Sequence, residues 1–344
     1  MTGDDGRRAA VVDREALAAF FARHVPGFAG SLDAEPILGG RSNLIYDITD
    51  GTQHWILRRP PLGLVAPSAN DIGREYRVVK ALGPTSVPVA RAIAYCDDPA
   101  VIGAPFSVVS KVEGRVIRSA ADGAALDPAD ARAIADALIR GLVAVHGVAY
   151  QEVGLGDLGR PTGYLARQVS RWKSQWDLVA TRDLPQVERL QRGLVAATPT
   201  ESDATIVHGD YRLDNTILDP LDPTTLAAIV DGEMATIGDP LADVGLLLVY
   251  WDPACASVMP EGHSIAANRG FPAVGEVAET YATLSGRDLD HLAFYRALGY
   301  FKLAVIAEGI HNRYRDGLTI GHGFETVGAA VAPLIDAGLE ILHA

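Results

Sequence analysis

Two short apolar runs, each closing on an aspartate, constrain this chain more than anything else in it. Ile206-Val207 leads into His208-Gly-Asp-Tyr-Arg-Leu-Asp-Asn215, and Leu226-Ala-Ala-Ile-Val230 leads into Asp231-Gly-Glu233. The second run has the length of a buried strand, and a carboxylate set at a strand terminus is held rigidly. Between the runs, Asp219-Pro-Leu-Asp-Pro-Thr-Thr225 is rich in turn residues, so the segments flanking it read as a β-hairpin. The fold therefore has to present Asp210, Asn215 and Asp231 from loops beside strands.

Those three groups suit phosphoryl transfer, which asks a protein for positioning and charge neutralisation more than for covalent chemistry. Asp210 would accept or orient the proton of a substrate hydroxyl. Asn215, five residues on, offers a carbonyl oxygen to magnesium, a hard cation, and Asp231 offers a carboxylate to the same metal pair.

Taken together, His208-Gly-Asp-Tyr-Arg-Leu-Asp-Asn215 and Asp231-Gly-Glu-Met-Ala-Thr-Ile-Gly-Asp-Pro-Leu-Ala-Asp-Val-Gly245 resemble the aminoglycoside phosphotransferase (choline-kinase-like) family. Within it the chain looks most like the branch that also supplies the kinase-like domain fused to some acyl-CoA dehydrogenases. The likeness runs from about Phe28 to Arg315. It implies an α+β, two-lobed protein-kinase-like fold, with a small antiparallel-sheet N-lobe over 1–110 and a larger, mainly helical C-lobe over 111–344. It also implies ATP as donor, GTP being the open alternative, Mg2+ as metal, and transfer of the γ-phosphoryl group to a hydroxyl of a small molecule. Asp210 is then the catalytic residue and Arg212 a secondary candidate beside the transferred group, with Asn215 and Asp231 as metal ligands.

The first third should accordingly bind nucleotide. Ile37-Leu-Gly-Gly-Arg-Ser-Asn-Leu-Ile-Tyr-Asp-Ile48 places Gly39, Gly40 and Ser42 between two strand-like segments, where backbone amides approach phosphates closely; the same pattern also makes a plain hairpin turn. In Trp55-Ile-Leu-Arg-Arg-Pro60, alternation sets Ile56 and Arg58 on one face and Leu57 and Arg59 on the other. Arg58 stands where kinases carry a lysine on the α- and β-phosphates, and a guanidinium grips phosphate bidentately. Glu75, in a helical pattern over 71–82, is its candidate partner, a surface ion pair being the alternative. Val87-Pro-Val-Ala90 and Pro105–Ser110 read as strands, and by resemblance the backbone from Ser110 to Val112 meets the adenine.

Composition sets the remaining bounds. At 344 residues and 48% apolar, the chain can bury a core in each of two lobes. Its net charge of −13 argues against nucleic acid and is compatible with a cationic substrate. Cys96 and Cys255 form neither a disulfide framework nor a metal motif, which favours a reducing cytoplasm. The apolar run from Val244 to Trp251 is too short to span a bilayer, so no membrane role is expected. Oligomeric state is unreadable.

Helices are expected at Arg14–His24, Pro128–Val148, Thr162–Val179, Leu184–Ala196, Ala273–Leu284, Asp288–Tyr314 and Phe324–His343. His208 should brace its loop, Asp243 should tie a helix to that loop, and Trp172 with Trp176 should pack. His263, His311 and Arg313 are possible substrate contacts. Gly232 stands where many relatives place an aromatic residue, and Glu233 is either a further metal-shell carboxylate or solvent-facing. Arg58 and Gly232 leave a rival open: a nucleotide-binding scaffold without turnover. A hydroxyacyl-CoA kinase is the other alternative.

Overall fold

The computed structural model describes residues 12–37, 43–60, 71–199, 203–222, 224–258, 263, 265, 267–317 and 324–343. Gly39, Gly40 and Ser42 lie outside them. The chain divides into two compact units, Met1–Glu113 with Ala227–Ala235, and Gly114–Leu226 with Thr236–Ala344.

In the first unit, helix α1 (Arg14–His24) begins where the Asp13 carboxylate accepts from the N–H groups of Glu15 and Ala16. Strands β1 (Asp33–Ile37), β2 (Leu44–Thr49) and β3 (His54–Arg59) precede helix α2 (Ile72–Leu82), and β4 (Ala92–Cys96) and β5 (Phe106–Ser110) follow it. All ladders are antiparallel, in the order β1-β2-β3-β5-β4. Along β3 burial alternates: Trp55, Leu57 and Arg59 are buried while Ile56 and Arg58 are partly exposed. The buried face receives α1, Phe21 meeting Trp55 edge-on at 5.3 Å and Phe20 meeting Phe106 at 4.9 Å. Arg59 is fully buried there, donating to the Ile102 carbonyl at 2.8 Å and to the Tyr46 hydroxyl at 3.1 Å.

No strand forms at Val87–Ala90, contrary to expectation; the strand is β4, five residues later. Pro88 has no N–H for a ladder, and its carbonyl instead accepts from the Ile229 N–H at 2.7 Å.

The second unit contains helices α3 (Ala120–Ala124), α4 (Pro128–His146), α5 (Tyr164–Val179) and α6 (Pro185–Ala197), then β6 (Thr205–Val207), β7 (Thr216–Leu218) and the start of β8 (Leu226–Ile229). After β9 (Thr236–Gly238) come α7 (Leu241–Trp251), α8 (Val274–Ser285), α9 (Leu292–Arg315) and α10 (Val331–His343). β6 pairs antiparallel with β9, and β7 with β8 makes the expected hairpin, whose turn is closed by the Asp219 N–H on the Thr225 carbonyl. The expected helical stretches form with shifted ends. The ninth starts at Leu292 rather than Asp288, and the last follows a 3-10 turn at Val327–Ala330.

Helices α7 and α9 approach closely because glycines face the contact. A Cβ on Gly245 would lie 2.5 Å from the Tyr295 backbone, and one on Gly299 would lie 3.2 Å from the Leu246 Cα. This approach brings the C-terminal half of α7 and the middle of α9 to the loop after β6. Among the described residues, no helix is long and apolar enough to cross a membrane.

Candidate active-site groups

In the first unit, Arg58 is the hub. Its guanidinium donates to Glu75 on α2 and, at 2.7 Å, to Asp231 Oδ1, 173 residues away in the chain. Asp231 takes a left-handed backbone conformation, φ 66°, at the start of a 3-10 turn over Gly232–Met234. Glu233, on the same turn, accepts from the Asn43 amide at 2.9 Å. Glu75, Asp231 and Glu233 thus share the field of the Arg58 cation. Burial pushes the Glu75 carboxyl up and Arg58 pulls it down, but Asp231 and Glu233 push it up again, and it stands at about 7. Arg58 feels the opposite balance: burial lowers its affinity for the proton, and the surrounding carboxylates more than restore it. Ser110 closes β5, its N–H donating to the Arg91 carbonyl at 2.9 Å, and the Lys111 N–H reaches the His54 carbonyl. Val112 follows two residues beyond the end of that strand.

In the second unit, the loop after β6 is fastened at nearly every residue. Asp243, buried on the first turn of α7, accepts from the backbone N–H of His208 at 2.6 Å and of Gly209 at 2.8 Å. His146 Nε2 lies 3.3 Å from the same carboxylate, and its Nδ1 lies 2.7 Å from the Tyr281 hydroxyl. The Asp210 N–H donates to His208 Nδ1 at 3.3 Å, so His208 braces the loop from within. Gly209 sits at φ 83°, a conformation open to glycine at little cost.

That fastening aims Asp210. Its Oδ1 accepts from the Tyr250 hydroxyl at 3.0 Å, and its Oδ2 accepts from Asn215 Nδ2 at 3.2 Å. Asn215 Nδ2 also holds the Asp210 carbonyl at 2.8 Å, across a 3-10 turn over Leu213–Asn215. Arg212 Nε stands 3.5 Å from Asp210 Oδ2 while its Nη2 meets Asp214 at 3.1 Å, and the guanidinium lies over the Tyr250 ring. Burial alone would raise the Asp210 carboxyl; Arg212, Lys302, His208 and the Tyr250 hydrogen bond outweigh it and hold Asp210 below the ordinary carboxylate value.

Tyr250 and Lys302 were not among the residues singled out from sequence. Tyr250 stands in the apolar run considered above only as a bilayer candidate, and Lys302 is a single cation in the apolar stretch Leu298–Ala307. That isolated charge was the available signal. Asn43 and its bond to Glu233 were missed as well. Trp172 and Trp176 are buried, as their spacing suggests, and so is His263. Arg313, in the last turn of α9, is exposed.

Hard oxygen donors are present in both units. Three carboxylates surround Arg58 in the first unit, and the buried Asn43 Oδ1 and Glu75 Oε2 have no hydrogen-bond partner. In the second unit the Asn215 NH2 is spent on Asp210, which leaves its carbonyl as the group to offer. These are hard oxygen donors of the kind magnesium takes, commonly keeping several waters. Among the described residues, no cluster of three or more His, Cys, Asp or Glu side chains could hold a metal ion by itself.

Comparison with known proteins bears on the family and the fold. A crystal structure from Ralstonia eutropha, provisionally described as an aminoglycoside phosphotransferase, superposes with a TM-score of 0.83 at 34% identity, covering 97% of this chain and 99% of that one. A ternary complex of a thermostable mutant of aminoglycoside phosphotransferase APH(4)-Ia with ADP and hygromycin B shares the fold at TM-score 0.61 and 15% identity, over 96% of this chain and 98% of that one. The human acyl-CoA dehydrogenase family member 11 is 33% identical over 337 residues, 96% of this chain and 43% of that protein. The chain thus spans less than half the length of that relative.

An antiparallel-sheet lobe and a helical lobe with these neighbours define a two-lobed, kinase-like α+β protein. Residues 33–291 match the model of the phosphotransferase enzyme family, and the chain belongs to that family.

Proposed function

We propose that the protein is an ATP-dependent phosphotransferase that moves the γ-phosphoryl group to a hydroxyl of a small molecule. The observation that carries this reading is the Asp210 carboxylate, held ionised with one oxygen on Tyr250 and the other on Asn215. An acceptor oxygen forms its bond to the γ-phosphorus as the bond to the β–γ bridging oxygen breaks and ADP departs. Asp210 orients the acceptor hydroxyl and takes its proton. Arg212, beside Asp210, steadies the transferred charge.

On this reading residues 1–110 bind the nucleotide and 111–344 the acceptor. Arg58, set by Glu75, positions the triphosphate, and the backbone from Ser110 to Val112 meets the purine; Gly39, Gly40 and Ser42, which the family resemblance assigns to the phosphates, lie outside the described residues. The donor is ATP, as the ADP complex of the fold relative suggests, with GTP the alternative. Asn215 and Asp231 would hold magnesium, which when bound neutralises the triphosphate charge. A cytoplasmic setting fits such a reaction.

The acceptor is an aminoglycoside-like or other hydroxylated small molecule, a hydroxyacyl-CoA being the alternative. The charges at Asp210 do not choose between them: Arg212 and Lys302 stand against Asp210, Asp214 and Asp243. The test is to incubate the protein with MgATP and separate pools of hydroxyacyl thioesters, aminoglycosides and neutral polyols, and to seek compounds that gain a phosphoryl group by mass spectrometry. A phosphorylated thioester, aminoglycoside or polyol supports the phosphotransferase reading and names the acceptor class. Tight MgATP binding with no product from any pool supports the scaffold that Arg58 and Gly232 leave open.

A further inference from the structure

Helix α9 is buried along most of its length, and Lys302 lies in the middle of it, 8% exposed between Phe301 and Leu303. An ammonium placed there is costly unless the fold supplies partners. The partners it has are specific. The amine donates to the carbonyl of Gly209, the residue immediately before Asp210. It stands 5.3 Å from the centre of the Trp172 ring on α5, a cation–π placement. Asp210 and Asp243 supply the negative field that favours its charge, against burial and the repulsion of Arg171 and Arg212.

Gly209 is therefore held from both sides. Its N–H donates to Asp243 of α7, and its carbonyl accepts from Lys302 of α9. The two helices doing so are those that meet at Gly245 and Gly299. A glycine at φ 83° has several other conformations open to it, and each would swing the following carboxylate away from Tyr250 and Asn215. We infer that Lys302 is a positioning residue of the phosphotransferase reaction: it fixes the Gly209–Asp210 peptide from the carbonyl side and thereby holds the Asp210 carboxylate on its hydrogen-bond partners.

The inference rests on the phosphotransferase reading for its kinetic consequence, whereas the clamp itself is a matter of structure. The full chain is compared as wild type, Lys302→Met and Lys302→Arg, each first shown to be folded by its thermal transition. Turnover is read as MgATP consumption in the presence of the acceptor pool that gains a phosphoryl group from wild type, and mobility as deuterium uptake across 205–215. Lys302→Met should lose turnover on the order of 10²-fold with KM for MgATP unchanged, because a misplaced carboxylate costs rate and not nucleotide binding. Lys302→Arg, which keeps a buried charged donor, should recover much of that loss. Deuterium uptake at 208–212 should rise in Lys302→Met and stay near wild type in Lys302→Arg. A Lys302→Met protein with wild-type turnover, or with a loss confined to KM, overturns the inference. If wild type transfers phosphate to nothing, the phosphotransferase reading fails separately and the exchange comparison alone decides: equal uptake in wild type and Lys302→Met overturns the clamp.

Discussion

The Tyr250 hydroxyl donates to Asp210 Oδ1 at 3.0 Å, from the end of a helix 40 residues further along the chain. Because the acceptor is an ionised carboxylate, this bond is of the stronger kind, worth roughly 1.5–3 kcal/mol. Tyr250→Phe removes the hydroxyl and keeps the ring under Arg212. The expected result is a fall in turnover of roughly 10- to 100-fold, with a thermal midpoint lowered by roughly a few degrees. Steady-state kinetics beside a melting curve checks both.

Asp243 carries the loop itself, since it is buried and accepts from two consecutive backbone N–H groups. In Asp243→Ala the buried His208 N–H and the half-buried Gly209 N–H lose their acceptor, and His146 loses its carboxylate. A destabilisation of about 3–5 kcal/mol is expected from removing one side of such a buried set. Denaturant unfolding measures it, and a change below about 1 kcal/mol would contradict this account of the loop.

Much of this arrangement was legible in the chain, and the exceptions have physical causes. Asp210, Asn215 and Asp231 stand out because a reaction needs those groups near strand ends, and the pairing of Arg58 with Glu75 is what the family resemblance implies for residues that strand alternation and a helical pattern locate. Periodicity says that α7 and α9 are buried, but not which carbonyl or carboxylate a polar group within them will meet. Tyr250 and Lys302 were therefore missed for the same reason. The contact of Arg58 with Asp231 is long-range, set by tertiary packing that no local pattern encodes. Arg59 was placed on the correct face of β3, yet nothing in its neighbourhood announced that a guanidinium would be fully buried beneath Tyr46. Val87-Pro-Val-Ala90 makes no strand because Pro88 cannot donate to a ladder, and the chain pairs instead over Ala92–Cys96.

The approach of α7 and α9 gives a prediction about stability. A Cβ at Gly245 would lie 2.5 Å from backbone atoms of Tyr295, which cannot rotate away as a side chain could. Gly245→Ala should therefore destabilise the fold by about 1–3 kcal/mol, outweighing the helix propensity that alanine adds. Gly275, whose Cβ would meet nothing within 4 Å, is the control: Gly275→Ala should be neutral or stabilising. Chemical denaturation of both variants distinguishes the two cases.

Glu75 predicts a pH dependence. Its carboxyl is raised from 4.5 to about 7, so between those values the folded protein holds a proton that the unfolded chain has released. Stability from this group is therefore fully present below about pH 4.5 and is lost as pH rises through about 7, by roughly 3 kcal/mol in all. Glu75→Gln, which imitates the protonated form, should flatten that part of the curve. Unfolding free energies measured from pH 5 to 8 in both proteins check the sign, and a wild type that gains stability across this window as Glu75→Gln stays flat would contradict it.

The most direct test of the central claim pairs Asp210→Asn with wild type in two measurements: MgATP affinity by calorimetry, and phosphoryl transfer to the acceptor pool by mass spectrometry. The account predicts unchanged nucleotide affinity and a loss of transfer on the order of 10²-fold or more. Wild-type transfer by Asp210→Asn would contradict it.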